Sequence, residues 1–414
     1  MLATCGCAVG ATIIVGGIVF AVGFLVVGNS LDSNWYDPMY GSDGPHSGWQ
    51  AMWAGDVNGD GTPDIILMTS FEPWKRGYGR TRILSGSTGE VLRTLEELRT
   101  DVPLTDVIGQ LGDVDNDGRD DLWWSPDSGS IVVGRGVEGR DLARIRIGLG
   151  ECVSPMGDID ADGWIDLLIS GYPDRGSRWN TIGVVSTRTQ RELWSLSRPD
   201  PRDMVANPFG WVSCCPGDIN SDGVPDAATI DEDETMLIAS GRDGTVINRF
   251  PVRTDWISGV IASVGDVDDD GVPDILHCAD LGQSVRVLSG RTGDALVVLQ
   301  ADGAYADPFS PGDLDGDGNP EIAFHDHEGL RVVRARDGAE LFSRKDVRSA
   351  PGAEDFNSDG RSDLLVVENT WLPVGVEPPE DMWSQGRVEI VSGRDQSVLL
   401  VVDGKTIADL NRPR

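Results

Sequence analysis

The sequence predicts an all-β fold, a seven-bladed β-propeller of four-stranded antiparallel blades preceded by an N-terminal transmembrane helix. Three observations predict the propeller. A nine-residue acidic pattern occurs seven times at spacings of 42 to 60 residues. Each copy sits between short apolar runs and is followed by a Gly-containing turn between two more. No amphipathic helical period interrupts the series.

Taken in order, residues 1–30 read as the anchor, 31–46 as a linker, 47–403 as the propeller and 404–414 as a tail. Cys5 to Gly28 is a stretch of 24 residues without a charge, long enough to cross a bilayer, and longer than the apolar run of a usual cleaved signal. A signal peptide remains the alternative, with secretion as its consequence. No Lys or Arg precedes Lys75, so flanking charge gives no orientation. The repeats are expected outside the cytoplasm, at the cell surface or in a periplasm, where millimolar Ca²⁺ suits weak loops.

The fifth repeat shows the unit most clearly. Trp256 to Val264 reads as a first strand, Asp266 to Asp274 is the acidic loop, and Asp274 to Cys278 is a second strand. Ser284 to Ser289, the turn Gly290-Arg-Thr-Gly293, and Asp294 to Leu299 then form a hairpin. The hairpin recurs around Ser85-Gly-Ser-Thr-Gly89, Ser240-Gly-Arg-Asp-Gly244, Ala335-Arg-Asp-Gly338 and Ser392-Gly-Arg-Asp395. Complete units run from a first inner strand near Ser47–Ala54 to a last outer strand near Ser397–Val402. The ring is therefore expected to close by packing, without exchanging a strand between its ends, unless residues 31–46 add an edge strand.

The acidic loops are candidate metal sites. Their first positions are Asp56, Asp113, Asp158, Asp218, Asp266, Asp313 and Asp355; their third are Asn58, Asp115, Asp160, Asn220, Asp268, Asp315 and Asn357. The fifth are Asp60, Asp117, Asp162, Asp222, Asp270, Asp317 and Asp359; the ninth are Asp64, Asp121, Asp166, Asp226, Asp274, Glu321 and Asp363. Carboxylates at these positions converge on one cation, the seventh residue offers a carbonyl, and Gly at the sixth allows the sharp turn. With every ligand an oxygen, the pattern selects a hard cation, Ca²⁺ before Mg²⁺, up to seven in all.

The net charge of −34 argues against nucleic acid as a partner. Of the 68 acidic residues, 25 stand at loop ligand positions, and seven Ca²⁺ would bring the charge to −20. Outside the apolar stretch, Cys152 and Cys214 share strand parity on neighbouring repeats, which fits either a disulfide or two buried thiols. Cys215 and Cys278 have no obvious partner.

The loops resemble those of FG-GAP or VCBS-type repeats, the blades of the integrin α-subunit propeller and of many bacterial surface proteins. The resemblance covers about residues 47–403; the Phe-Gly pair is clear as Phe209-Gly210, and no Arg-Gly-Asp peptide or inserted domain occurs. It implies that each loop joins the innermost strand of a blade to the second, on one face of the disc.

Ligand recognition is expected on the opposite face. Three long segments there carry Trp74, Lys75, Arg76, Tyr78 and Arg80; Tyr172, Arg175, Arg178 and Trp179; and Trp371 and Trp383. Aromatic and basic residues on an acidic protein suit a glycan or an acidic protein partner. The sequence thus predicts an adhesion or recognition module, not an enzyme, with structural Ca²⁺. His325-Asp326-His327 is a minor metal candidate against a default of an exposed turn, and no phosphate-binding or hydrolase motif is present. The enzyme rival is a propeller acting on carbohydrate, such as a polysaccharide lyase. A weaker rival is a quinoprotein-like propeller, for which Gly293-Asp-Ala-Leu and Arg191-Glu-Leu-Trp194 are loose matches.

Overall fold

The computed structural model describes residues 10–15, 18–23, 49–69, 80–95, 108–127, 129–146, 153–170, 181–198, 209–210, 212–231, 235–252, 260–279, 283–301, 308–326, 329–345, 347–349, 352–368 and 386–403. The chain divides into two units, Met1–Ser42 and Asp43–Arg414.

In the first unit the predicted transmembrane helix is corrected. Gly10–Val15 and Ile18–Gly23 pair as antiparallel strands, from Gly10 opposite Gly23 to Val15 opposite Ile18. The reason lies in the sequence. Ile13, Ile14, Val15, Ile18 and Val19 are β-branched, and Gly16-Gly17 falls between the two runs, a two-residue hairpin signal. Among the described residues no helix is long and apolar enough to cross a membrane.

The second unit is the seven-bladed propeller. In blade five, Ile261–Gly265, Asp274–Ala279, Ser284–Leu288 and Ala295–Gln300 lie side by side in chain order, each antiparallel to the next. Blades one, two, three, four and seven repeat this order. Blade six has three strands, with a single Phe309–Ala323 bridge where the inner strand belongs. Pro308 and Pro311 flank that bridge, and neither carries an N–H for a ladder.

Each sheet is packed on both faces, and residue alternation divides its side chains between two neighbours. On the second strand of blade one, Ile65 and Leu67 join a cluster with Leu365, Val367, Val388 and Ile390 of blade seven. Ile66 and Met68, pointing the other way, pack with Ile108, Leu122, Trp124 and Val132 of blade two. Every pair of adjacent blades has such a core. The last strand, Val398–Asp403, pairs with Arg387–Ser392 of its own blade, and the first, Trp49–Gly55, with Asp64–Thr69. Among the described residues closure therefore rests on packing, as the repeat count predicts.

Candidate metal centre

Each acidic loop connects the inner strand of its blade to the second, as in Ile261–Gly265, loop and Asp274–Ala279. The loops are held by their own backbone. In the fifth, Asp266 accepts the N–H groups of Asp270 and Gly271 at 3.1 and 2.8 Å, and Asp270 accepts that of Val272 at 2.8 Å. Position six is left-handed throughout, as at Gly271 with φ +82°. Position four is left-handed too, with Asn116, Ala161, Ser221, Asp269 and Ser358 between +57° and +61°. That second requirement was not read from the sequence, because Asn, Asp, Ser, Ala and Gly share the position.

The ninth residue begins the second strand and is fully buried in all seven blades. In loops two, three, five and six it meets the first and third carboxylates, with one oxygen from each residue within 4.8 Å of the others. These trios are Asp113, Asp115 and Asp121; Asp158, Asp160 and Asp166; Asp266, Asp268 and Asp274; and Asp313, Asp315 and Glu321. Loops one, four and seven have Asn at position three. Asn58 donates to Asp64 and Asp60, both at 3.1 Å, and Asn220 donates to Asp226 at 3.5 Å, so an amide supplies part of what a cation would.

The fifth-position carboxylate stands apart from the trios and turns toward the hairpin between strands three and four. Asp60 accepts from Ser87 at 2.6 Å, Asp222 pairs with Arg242 at 3.4 Å, and Asp270 pairs with Arg291 at 2.6 Å. Of the ligand set expected at positions one, three, five and nine, the fifth member is thus bonded to the hairpin in these three loops. Sequence reading also missed the hairpin arginines. Their signal was present, since Arg188, Arg242, Arg291, Arg336 and Arg394 recur at one turn position.

Charge follows geometry. Burial pushes the ninth-position carboxyls up, Asp64, Asp121 and Glu321 to about 7 and Asp166 and Asp274 to about 6, against hydrogen bonds from backbone amides. Burial raises Asp226 and Asp363 as well. The Arg291 hydrogen bond instead holds Asp270 below the usual carboxylate range.

In five blades a hairpin N–H satisfies the ninth carboxylate: Gly86, Thr187, Gly241, Gly290 and Gly393 donate at 2.9 to 3.2 Å. In blades two and six that bond is missing, and Asp121 Oδ1 and Glu321 Oε1 are buried without a partner. Asp115 Oδ1 is in the same condition beside Asp121. Buried unpartnered carboxylate oxygens inside an all-oxygen trio are what a hard cation satisfies, so the residues fit Ca²⁺.

Neighbouring loops are joined. Asp56 N–H donates to Asp120 at 2.8 Å while Asp120 N–H donates to the Asp56 carbonyl at 3.0 Å, and Ser362 N–H donates to the Asp313 carbonyl at 3.0 Å. Gln110 of blade two also reaches Glu354 of blade seven at 2.8 Å.

Cys214 and Cys278 are buried and Cys215 is half-buried, and Cys152 lies outside the described residues. His325 packs against Phe309, with ring centroids 6.5 Å apart, whereas His327 lies outside. Trp194, of the loose quinoprotein-like match, donates to the Gly241 carbonyl of the next blade at 2.6 Å and packs on that turn. The aromatic and basic segments expected to bind a ligand, 74–79, 171–179 and 371–383, lie outside the described residues.

No family model matches the chain, and no curated protein matches it. Solved structures are similar to it at low identity. BamB from Moraxella catarrhalis is 10% identical with a TM-score of 0.41, covering 86% of this chain and 87% of that one. The V. cholerae biofilm matrix protein Bap1 is 11% identical with a TM-score of 0.46, covering 78% of this chain and 84% of that one. BBS1N, in a complex with ARL6DN, is 12% identical with a TM-score of 0.47, covering 73% of this chain and 82% of that one.

Proposed function

We propose that this chain is a calcium-binding propeller of the FG-GAP or VCBS kind, acting outside the cytoplasm as an adhesion or recognition module in which the cations are structural. One observation carries the reading: Asp121 Oδ1 and Glu321 Oε1 are buried and unpartnered within carboxylate trios. A cation satisfies both oxygens and removes the repulsion between carboxylates, up to about 4 kcal/mol for a pair at 4 Å and an effective dielectric near 20. The first, third and ninth residues are the ligands, and the fifth holds the loop to its hairpin.

The energetics favour a structural role. With a dissociation constant of about 10⁻⁴ M and about 1 mM free Ca²⁺, each site adds roughly 1.4 kcal/mol, and seven add about 10 kcal/mol. That is comparable with the whole stability of an ordinary domain. The uncharged, apolar composition of Cys5–Gly28 supports attachment to a membrane. Recognition of a glycan or an acidic protein is assigned to the face opposite the loops, on the composition of the segments carrying Trp74, Lys75, Tyr172, Arg175, Trp371 and Trp383.

The test is thermal unfolding of the purified chain with Ca²⁺, Mg²⁺ or chelator, with metal content measured on the same sample. An upward shift specific to Ca²⁺ with close to seven ions bound is expected. No shift and no bound metal would reduce the loops to acidic turns and end this reading. Depolymerisation of a polysaccharide by the chain would replace the module with an enzyme.

A further inference from the structure

The seven hairpin turns between strands three and four abut the seven loops, and they are of two kinds. In five blades the first turn residue is serine: Ser85, Ser186, Ser240, Ser289 and Ser392. The next N–H in those turns bonds the ninth carboxylate. In blades two and six the first turn residue is Arg135 or Arg334. These are the two blades where the ninth carboxylate keeps an unpartnered buried oxygen.

The two arginines reach a different part of the loop from their neighbours. Arg135 bridges Asp115 at 2.9 Å and Asp117 at 2.6 Å, and Arg334 lies 2.8 Å from Asp315. Asp115 and Asp315 are third-position members of the trios. Arg242 and Arg291, from the third turn position, hold only the fifth residue, through its carboxylate and its carbonyl. They are more than half exposed, whereas Arg135 is only 21% exposed.

We propose that Arg135 and Arg334 are tethered counter-ions, so that a divalent cation enters the second and sixth loops in competition with a guanidinium already paired to a ligand carboxylate. The inference rests on the calcium reading above. A guanidinium at the ligand oxygens offsets one of the loop's four carboxylate charges without a metal and repels an entering dication. It leaves Asp121 Oδ1 and Glu321 Oε1 unsatisfied, so these loops keep a demand for the cation that the arginine cannot meet. Among the four carboxylate trios, the second and sixth loops then form an affinity class apart from the third and fifth, set by one residue of the hairpin turn.

The test compares the full-length protein with Arg135→Ser, the residue most blades carry there, and Arg135→Gln, which keeps more of the stem without the charge. Calcium binding is followed by titration calorimetry, and urea unfolding is measured in chelator and in calcium. Both variants should bind calcium at one site on the order of 10-fold more tightly. Both should be less stable than the parent in chelator and gain more from calcium. Arg242→Ser, outside the trio, should leave every affinity within about 2-fold. An Arg135 variant that binds no more tightly, or that loses equal stability with and without calcium, would make Arg135 a packing residue and overturn the assignment. A parent protein that binds no calcium at all would instead overturn the calcium reading, and this inference with it.

Discussion

Replacing Asp121 with Asn tests the loop chemistry with two effects of opposite sign. Asp121 is fully buried; Oδ2 accepts the Val114 N–H at 3.0 Å and Oδ1 has no partner. Burial, with the charges of Asp115, Asp117 and Asp113, raises its carboxyl to about 7. A raised carboxyl binds its proton more tightly in the folded than in the unfolded chain, so without metal stability falls as pH rises from about 4 to about 7. Above that window the ionised carboxylate costs the fold roughly 4 kcal/mol, about three pH units at 1.36 kcal/mol each. Asn removes that cost while its carbonyl still accepts from Val114. In chelator at pH 8 the Asp121→Asn protein should therefore be the more stable, by a few kcal/mol less whatever burying an amide costs. In 1 mM Ca²⁺ that advantage should shrink by the roughly 1.4 kcal/mol of linkage the parent gains at that site. Urea unfolding of both proteins at pH 5 and pH 8, with and without Ca²⁺, reads all four quantities. Equal destabilisation in chelator and in calcium would refute the argument, because it would make Asp121 a hydrogen-bond acceptor alone.

Three further outcomes are expected. Trp53 is 2% exposed at the junction of blades one and seven, 6.3 Å from the ring of Phe356, and Trp53→Ala should cost about 3–5 kcal/mol by urea unfolding; under 1 kcal/mol would mean that closure does not depend on this packing. Gly55 has φ +70°, and an added Cβ would lie 2.1 Å from Asp120 Oδ2, so Gly55→Ala should cost at least about 2 kcal/mol by the same measurement and loosen the bond between loops one and two; a loss under 0.5 kcal/mol would contradict the close approach. Burial pushes the Cys215 thiol up to about 11, and Cys214 and Cys278 are buried, so these three should react slowly with a thiol reagent at pH 8 until the chain is unfolded; rapid reaction of the folded protein would contradict their placement.

Much of the propeller was legible because the signals that specify it are local and repeated. A loop with Asp at position one and Gly at six, followed by a strand and a Gly-containing turn, fixes where each blade begins and where its hairpin lies. Closure without strand exchange followed from counting complete units. The N-terminal hairpin was misread because hydropathy measures only whether a run is apolar, and Gly16-Gly17, the feature that divides it, carries no charge to mark a break. The acidic loops were legible in full, and in loops two, three, five and six positions one, three and nine come together as one cluster. The direction of the fifth side chain depends on the hairpin, some 20 residues later, and spacing within the loop does not contain it. The weak inner strand of blade six was legible in principle from Pro308 and Pro311.

The placement of the ninth residue explains why these loops bear on the stability of the whole ring. It is at once the last carboxylate of the acidic loop and the first residue of the strand most deeply packed between neighbours; Asp226–Asp231 and Asp166–Ser170 are buried along their full length. Its carboxylate also bonds the second and third residues of the loop, as Asp226 does with Ile219 at 2.9 Å and Asn220 at 3.1 Å. A change of charge there is therefore felt by the second strand and, through it, by the interfaces on either side. The bonds from Asp56 to Asp120 and from Ser362 to Asp313 extend that influence between blades. Under the proposed function, calcium acts on seven such junctions and holds a ring whose first and last blades meet through side-chain packing. The opposite face is then free to vary in its ligand without disturbing what keeps the ring closed.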